Sequence, residues 1–279
     1  MPREASLSQL VNKYFYTHQF PTMWCPGCGD GTVAMAMVRA IDRLGLDFDK
    51  VIHVAGIGCA CVAHWYTTFT ALQTAHGRAL AGATGIKLAN PELTVVVTLG
   101  DGDCAAIGGN HLIHACRRNI DLTAIVYNNF NYGMTGGQVG PTTPLGAIAS
   151  TAPEGNLEPP FDLCKLAEAA GATYVARGAV YYVRELINLI ERGIKHKGFS
   201  FIDVLTPCPT VFGRRNKLGT PGQMFKAQQQ STVSVKKAQQ MSPEELRRKW
   251  LRGVLVDKEA PEFTEEYDKL IARVQKRTK

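Results

Sequence analysis

Two apolar runs, "LTVVVTLG" ending at Gly100 and "LTAIVYNN" ending at Asn129, constrain this chain more than any other feature. Each is short, continuous and rich in β-branched residues. Such strands are buried on both faces, as in a parallel sheet covered by helices. Between them "AAIGGNHLIHACRRN" reads as a helix, so the three segments form a strand–helix–strand crossover. The alternation continues on both sides. "TVAMAMVRAIDRLG" reads as a helix ended by Gly45, and "KVIHVAG" as a strand that breaks at Gly56. "FDLCKLAEAAG", "TYVARG", "VYYVRELINLIERGIKH" and "FSFIDVL" read as helix, strand, helix and strand. The expected fold class is α/β, a doubly wound parallel sheet whose ligands bind beyond the carboxyl ends of the strands. "TTFTALQTAHGRALAGATGIKLA" reads as one helix stopping before Pro91. Residues 1–22 read as an extended lead-in, and the chain after Cys208 as a polar segment followed by two short helices. The loop of about 129–160 is long enough to be functional or disordered.

Charge divides the chain. Residues 214–279 hold 16 Lys and Arg against 8 Asp and Glu, whereas residues 1–213 hold 15 against 16. A neutral body with a basic tail suits an acidic partner, or simply a solvated helical surface. No stretch approaches the roughly 18 apolar residues of a membrane span. "MPREASLSQL" has no apolar core of a secretory signal. The expectation is a cytoplasmic protein that binds no membrane.

Three constellations carry chemistry. "LGDGD" (Leu99–Asp103) closes the first buried strand, and Asn128 and Asn129 end the next one. A diphosphate held through Mg²⁺ needs glycine amides beside the phosphates and hard oxygen ligands on the metal. Asp101 offers a carboxylate, Asn129 a side-chain oxygen and Asn131 a backbone carbonyl. As plain structure, both stretches are turn-formers.

"CPGC" (Cys25–Cys28) lacks the second C-x-x-C pair of a zinc ribbon and the preceding strand of a thioredoxin-like redox pair. A four-thiolate cluster with distant ligands remains. Cys116 and Cys164 sit among apolar residues and read as core thiols, and Cys104 as packing behind the diphosphate loop. Cys59, Cys61 and Cys208 are left as the candidates. In the third stretch, "AHGRALAGATGIK", His76 precedes small residues that permit close helix packing. Asn110 opens the helix after "GDGD" and is the candidate for the substrate side. His111 and His114 share that helix and read as core or surface.

"WCPGCG", "GIGC", "HGRALAGATGIKLANP", "GDGD", "NNFNYGMTGGQ" and "TPC", in this order over about residues 20–212, resemble the β subunit of 2-oxoacid:ferredoxin oxidoreductases. The resemblance implies a thiamine diphosphate-binding domain of transketolase type over residues 31–213. A cluster-bearing segment (1–30) precedes it and a basic extension (214–279) follows. It implies Mg²⁺ on Asp101, Asn129 and the Asn131 carbonyl. It also implies one [4Fe–4S] cluster on Cys25, Cys28, Cys59 and Cys208, with Cys61 the rival to Cys59. Cofactor contacts are expected from Ile57, Gly58, Cys59, His76, Gly100, Asp101, Gly102, Asp103, Asn129, Asn131, Gly133, Met134 and Thr135, and catalytic roles from His76 and Asn110. The implied reaction is coenzyme A-dependent, reversible oxidative decarboxylation of a 2-oxoacid with electrons passing to ferredoxin. "IGGNHLIHACRRN" leans towards 2-oxoglutarate over pyruvate. An α subunit carrying the glutamate that activates the aminopyrimidine is implied, in an (αβ)₂ assembly. Many members of that family carry a small polar pair and a basic residue just after the "GIGC" cysteine, where this chain has "ACVAHWY", with His64 the only basic side chain in the stretch. The competing classes are an iron-free thiamine-dependent decarboxylase or carboligase, and a zinc- or nucleic-acid-binding protein using the tail. The second leaves "GDG" and "NN" without a purpose, and no nucleic-acid partner is expected.

Overall fold

The computed structural model describes residues 5–247 and 249–277. Eight strands form one sheet: β1 (Val51–Ala55), β2 (Thr70–Gln73), β3 (Thr94–Gly100), β4 (Thr123–Asn128), β5 (Tyr174–Ala179), β6 (Ser200–Leu205), β7 (Thr232–Ser234) and β8 (Trp250–Asp257). Their spatial order is β2-β1-β3-β4-β6-β5-β8-β7. All neighbouring pairs are parallel except β5 with β8.

The two faces bury separate cores, which is what the uninterrupted apolar strands demand. On one face Val33, Met37 and Ile41 of the Asp30–Leu44 helix pack with Leu186 and Ile190 of the Val183–Lys195 helix over Val96, Ile125 and Ile202. On the other, Leu80, Leu112 and Leu163 cover Val95, Val97 and Val126. Neighbours along a strand point to opposite faces, so the five strands β1, β3, β4, β5 and β6 each supply both cores. Met37 is fully buried, and Met37→Ala costs about 2–5 kcal/mol. The Asp30–Leu44 helix stops as expected at Gly45, whose φ of +60° the following turn requires.

Three sequence readings are corrected. The segment expected to be one helix from Thr67 to Ala89 is instead the edge strand β2, a turn through His76 and Gly77, and a helix over Ala79–Ala89. All four β2 residues are exposed, so no apolar alternation marked the strand. The lead-in holds a helix, Leu7–Tyr14, begun by a reciprocal cap between Ser6 and Gln9 and anchored by buried Leu10 and Tyr14. The tail does not fold as two short helices alone. It contributes the Pro221–Ser231 helix and then β7 and β8, and β8 runs antiparallel along β5.

Candidate functional site

The chain leaves β1 for β2 on one side and returns to β3 on the other, which opens a crevice beyond the carboxyl ends of β1 and β3. Ile57, Gly58 and Cys59 enter it after β1, Gly100–Asp103 after β3, and Asn129, Asn131, Tyr132, Gly133, Met134 and Thr135 after β4. His76 lines the same cleft from the turn after β2.

Asp103 ties these loops together. Its buried Oδ1 accepts the Gly77 amide at 2.7 Å and the Ile57 amide at 3.3 Å, and lies 2.5 Å from His76 Nδ1. The carboxylate sits so close to Gly56 that a Cβ there would fall 1.9 Å from Oδ2. Burial pushes the acid upward, against the opposing pull of the Gly77 amide and His76. In a neutral ring that gives its Nδ1–H to Asp103, the remaining His76 nitrogen, Nε2, is an acceptor. The ring meets Tyr132 edge-on at 6.1 Å.

Asp101 is 2% exposed and accepts a short hydrogen bond from Thr142 Oγ1. Burial raises its pKa to about 7, opposed by that bond and by nearby amides. Across the cleft the chain turns sharply, with Phe130 at φ +66°. Asn129 Oδ1 accepts the Asn131 amide at 3.3 Å, and the Asn131 side-chain amide donates to Asn129 O at 2.9 Å. Asn131 Oδ1 is buried with no hydrogen-bond partner. A buried acid and an unsatisfied carboxamide oxygen lining one cleft suit a hard cation, so the oxygens gathered here fit Mg²⁺. The long loop is packed: Asn156 donates to the Thr143 and Glu158 carbonyls at 2.9 Å, and Thr143 Oγ1 donates to Phe130 O at 2.6 Å.

Four thiols gather beside the cleft. The sulfurs of Cys59 and Cys208 both lie 3.6 Å from the point where a side chain on Gly133 would begin. Cys28 feels the charges of Cys208 and Cys59, and Cys59 those of Cys208 and Cys25. Burial raises the Cys28 thiol strongly and the Cys59 thiol to about 12. The Cys25–Cys28 turn needs Gly27 at φ +79°, and a Cβ there would lie 2.3 Å from Pro221 of the tail. Trp24 Nε1 donates to the Cys59 carbonyl at 2.8 Å. Cys61 points elsewhere: it is 1% exposed and its sulfur donates to Thr98 O at 3.4 Å. Cys104, Cys116 and Cys164 are buried in one core. Among the described residues no three Cys, His, Asp or Glu side chains close around one ion. Four thiols brought together from separate turns fit the body of an iron–sulfur cluster.

The cleft thus gathers every expected cofactor residue. Of the two residues expected to be catalytic, His76 lines the cleft and Asn110 does not, being exposed on the Gly109–Arg118 helix. Thr142 was not anticipated. It lies 41 positions from Asp101 in a loop without periodicity, and no local pattern marks it.

Crevice, paired asparagines and buried aspartate together define a thiamine diphosphate-binding domain. Residues 50–204 match the family described as thiamine pyrophosphate enzyme, C-terminal TPP binding domain. The chain is 49% identical to the 2-oxoglutarate synthase subunit KorB of Methanocaldococcus jannaschii, over 94% of this chain and 97% of that one. It is 57% identical to the KorB of Archaeoglobus fulgidus, over 71% and 73%. Among solved structures it superposes, with a TM-score of 0.85 and 32% identity, on a chain of the 2-oxoglutarate:ferredoxin oxidoreductase from Magnetococcus marinus with 2-oxoglutarate, coenzyme A and succinyl-CoA bound. That match covers 95% of this chain and 90% of the other. The chain belongs to the β-subunit family of 2-oxoacid:ferredoxin oxidoreductases. No helix among the described residues is long and apolar enough to cross a membrane.

Proposed function

We propose that this chain is the cofactor-carrying half of a cytoplasmic enzyme that oxidatively decarboxylates 2-oxoglutarate with coenzyme A and passes electrons to ferredoxin. The carrying observation is that Cys59 belongs to two places at once. It lines the cleft with Asp101 and Asn131, and its sulfur faces Gly133 beside that of Cys208. A cofactor in the cleft and a cluster on Cys25, Cys28, Cys59 and Cys208 are then neighbours, as short-range electron transfer needs. Bound there, thiamine diphosphate would supply an electron sink for decarboxylation and the cluster a one-electron acceptor.

The chain's own residues bind and orient. Asp101, Asn129 and the Asn131 carbonyl would hold Mg²⁺, with Thr142 fixing the carboxylate. Asp103 locks His76 and the Gly77 and Ile57 amides into one wall. His76 Nε2 is the free acceptor on that wall, available to hold a proton of the bound cofactor or substrate. Ile57, Tyr132 and Met134 supply the apolar part of the cleft lining. Among the described residues no glutamate lines the cleft. That supports a partner α subunit supplying the aminopyrimidine-activating acid, paired as (αβ)₂.

The test is to purify the chain with and without its partner subunit. After reconstitution with iron, sulfide, Mg²⁺ and thiamine diphosphate, ferredoxin reduction is assayed with 2-oxoglutarate or pyruvate. The expected result is coenzyme A-dependent turnover with 2-oxoglutarate in the complex alone. Robust turnover by the isolated chain, or activity with pyruvate only, contradicts the reading.

A further inference from the structure

Asn129 is flanked on both sides by contacts that lead to one buried cation. On its N-terminal side Asn128, 1% exposed, donates its side-chain amide to Asp203 Oδ1 at 3.1 Å. Asp203 is fully buried in β6, and its Oδ2 accepts from Arg177 Nε of β5 at 2.8 Å. On its C-terminal side the Phe130 ring stacks on Trp250 of β8, with centroids 6.2 Å apart and planes at 29°. The Arg177 guanidinium carbon lies 4.8 Å from the Trp250 ring centroid. Arg177, 3% exposed, also makes a short bond to Asp162, which caps the Leu163–Ala169 helix. A third ring, Phe212, meets Phe130 at 5.9 Å, four residues after Cys208. The chain is closed: Asn128, Asp203, Arg177, Trp250, Phe130, with Asn129 in the gap.

A buried ion pair needs no functional explanation, because it can simply satisfy its own charges. What this one adds is destination. Both arms end on the residues either side of Asn129, one by a hydrogen bond and one by an aromatic stack. Phe130 also has a left-handed backbone angle that a phenylalanine adopts only when its surroundings impose it.

We propose that Trp250, with the Arg177 guanidinium over its ring, is a positioning residue that through the Phe130 ring fixes how the Asn129 side chain points into the cleft, while the Arg177–Asp203–Asn128 arm holds the residue on its other side. The basic tail thereby takes part in cofactor binding, since Trp250 comes from it. The inference rests on the reading of Asp101 and Asn129 as Mg²⁺ ligands.

The experiment uses the assembled αβ complex with its cluster in place, stripped of Mg²⁺ and thiamine diphosphate by chelation. MgCl₂ is titrated calorimetrically at saturating thiamine diphosphate. In Trp250→Ala the half-saturating Mg²⁺ concentration rises about three- to tenfold, the loss expected for an aromatic contact. Trp250→Phe, which keeps a ring, stays within about twofold of the parent. The visible absorption of the cluster is unchanged in both. Phe130→Leu gives a loss similar to Trp250→Ala, and the double variant is no worse than the weaker single one, because both remove the same link. Unchanged Mg²⁺ affinity in Trp250→Ala, even with a lowered melting temperature, overturns the proposal, as do additive losses. If Trp250→Ala fails to fold, Trp250→Leu takes its place in the same cycle. Asp101→Asn separates the two claims. If it binds Mg²⁺ like the parent, the metal-site reading itself fails; if it loses binding while the Trp250 variants do not, only the positioning role fails.

Discussion

Replacing Gly56 by alanine isolates the role of Asp103. The new Cβ would stand 1.9 Å from Asp103 Oδ2 and 2.6 Å from its Cγ, far inside van der Waals contact. Gly56 sits directly after β1 and its amide bonds to Thr98 O at 3.3 Å, so the backbone is held and the carboxylate must move. Moving it breaks the bonds to Gly77 and His76, at 2.7 and 2.5 Å. Hydrogen bonds to a charged group contribute about 1.5–3 kcal/mol each, so losing both sets a ceiling of about 3–6 kcal/mol. Partial relaxation brings the expectation to about 3 kcal/mol, the upper range for overpacking. For a chain of this size that lowers the melting temperature by about 6 °C. The control is the same substitution on an Asp103→Ala background. No carboxylate is left to strike, and Gly56→Ala then costs less than about 1 kcal/mol. Both comparisons can be read by calorimetry or circular dichroism on cofactor-free protein. An equal cost on the two backgrounds would refute the argument, because the damage would then come from something other than the carboxylate.

Other consequences follow from the same geometry. Cys208→Ser should bleach the brown chromophore of the iron-loaded protein, whereas Cys61→Ser and Cys116→Ser should retain it; full iron content in Cys208→Ser would falsify the ligand assignment. His53 is fully buried between the hydroxyls of Thr67 and Thr98, and burial, helped by His64, lowers its pKa to about 3. The unfolded chain therefore binds a proton that the folded one refuses between pH 6.5 and about 3. Stability from this group is complete above pH 6.5 and declines as pH falls through that window, by up to about 1.4 kcal/mol per pH unit. His53→Gln should flatten that acid slope in urea titrations, and identical slopes would exclude His53 as its source. Neutralising Arg247 and Lys249, with Arg248 between them outside the described residues, should slow electron transfer to ferredoxin at low ionic strength. It should leave reduction of a small neutral dye almost unchanged. If both acceptors slow equally, the run serves folding or subunit assembly instead.

Legibility in the sequence followed burial. β3 and β4, covered on both faces, announced themselves as continuous β-branched runs, and with them came the crossover and the cleft at its end. The glycines and carboxamides of "GDGD" and "NN" were readable because diphosphate chemistry restricts residue type at fixed positions in the chain. β2 was misread since "TALQ" lies on an open edge where no face imposes alternation. β8 was missed for a related reason: "WLRGVLVD" is half-buried along its length, its Gly253 has φ +119°, and its pairing with β5 shifts register at Val175 and Ala176. Between Cys59 and Cys61 the letters were silent. One residue of spacing turns one thiol towards Gly133 and the other into the core. Thr142 and the links of Trp250 to Phe130 and Arg177 join residues tens to more than a hundred positions apart, beyond any local pattern.

The separation of the gathered thiols along the chain also has a consequence in time. Cys25 and Cys28 are made early, but Cys208 follows Cys25 by 183 residues, and Pro221, which packs against their turn, comes later still. At synthesis rates of about 5–20 residues per second, roughly 10–35 s pass before the fourth thiol exists. Throughout that interval a site built on all four thiols cannot be complete. A cluster held by Cys25, Cys28, Cys59 and Cys208 would therefore have to be delivered after translation has passed Cys208, while β7 and β8 of the same sheet are still to be made.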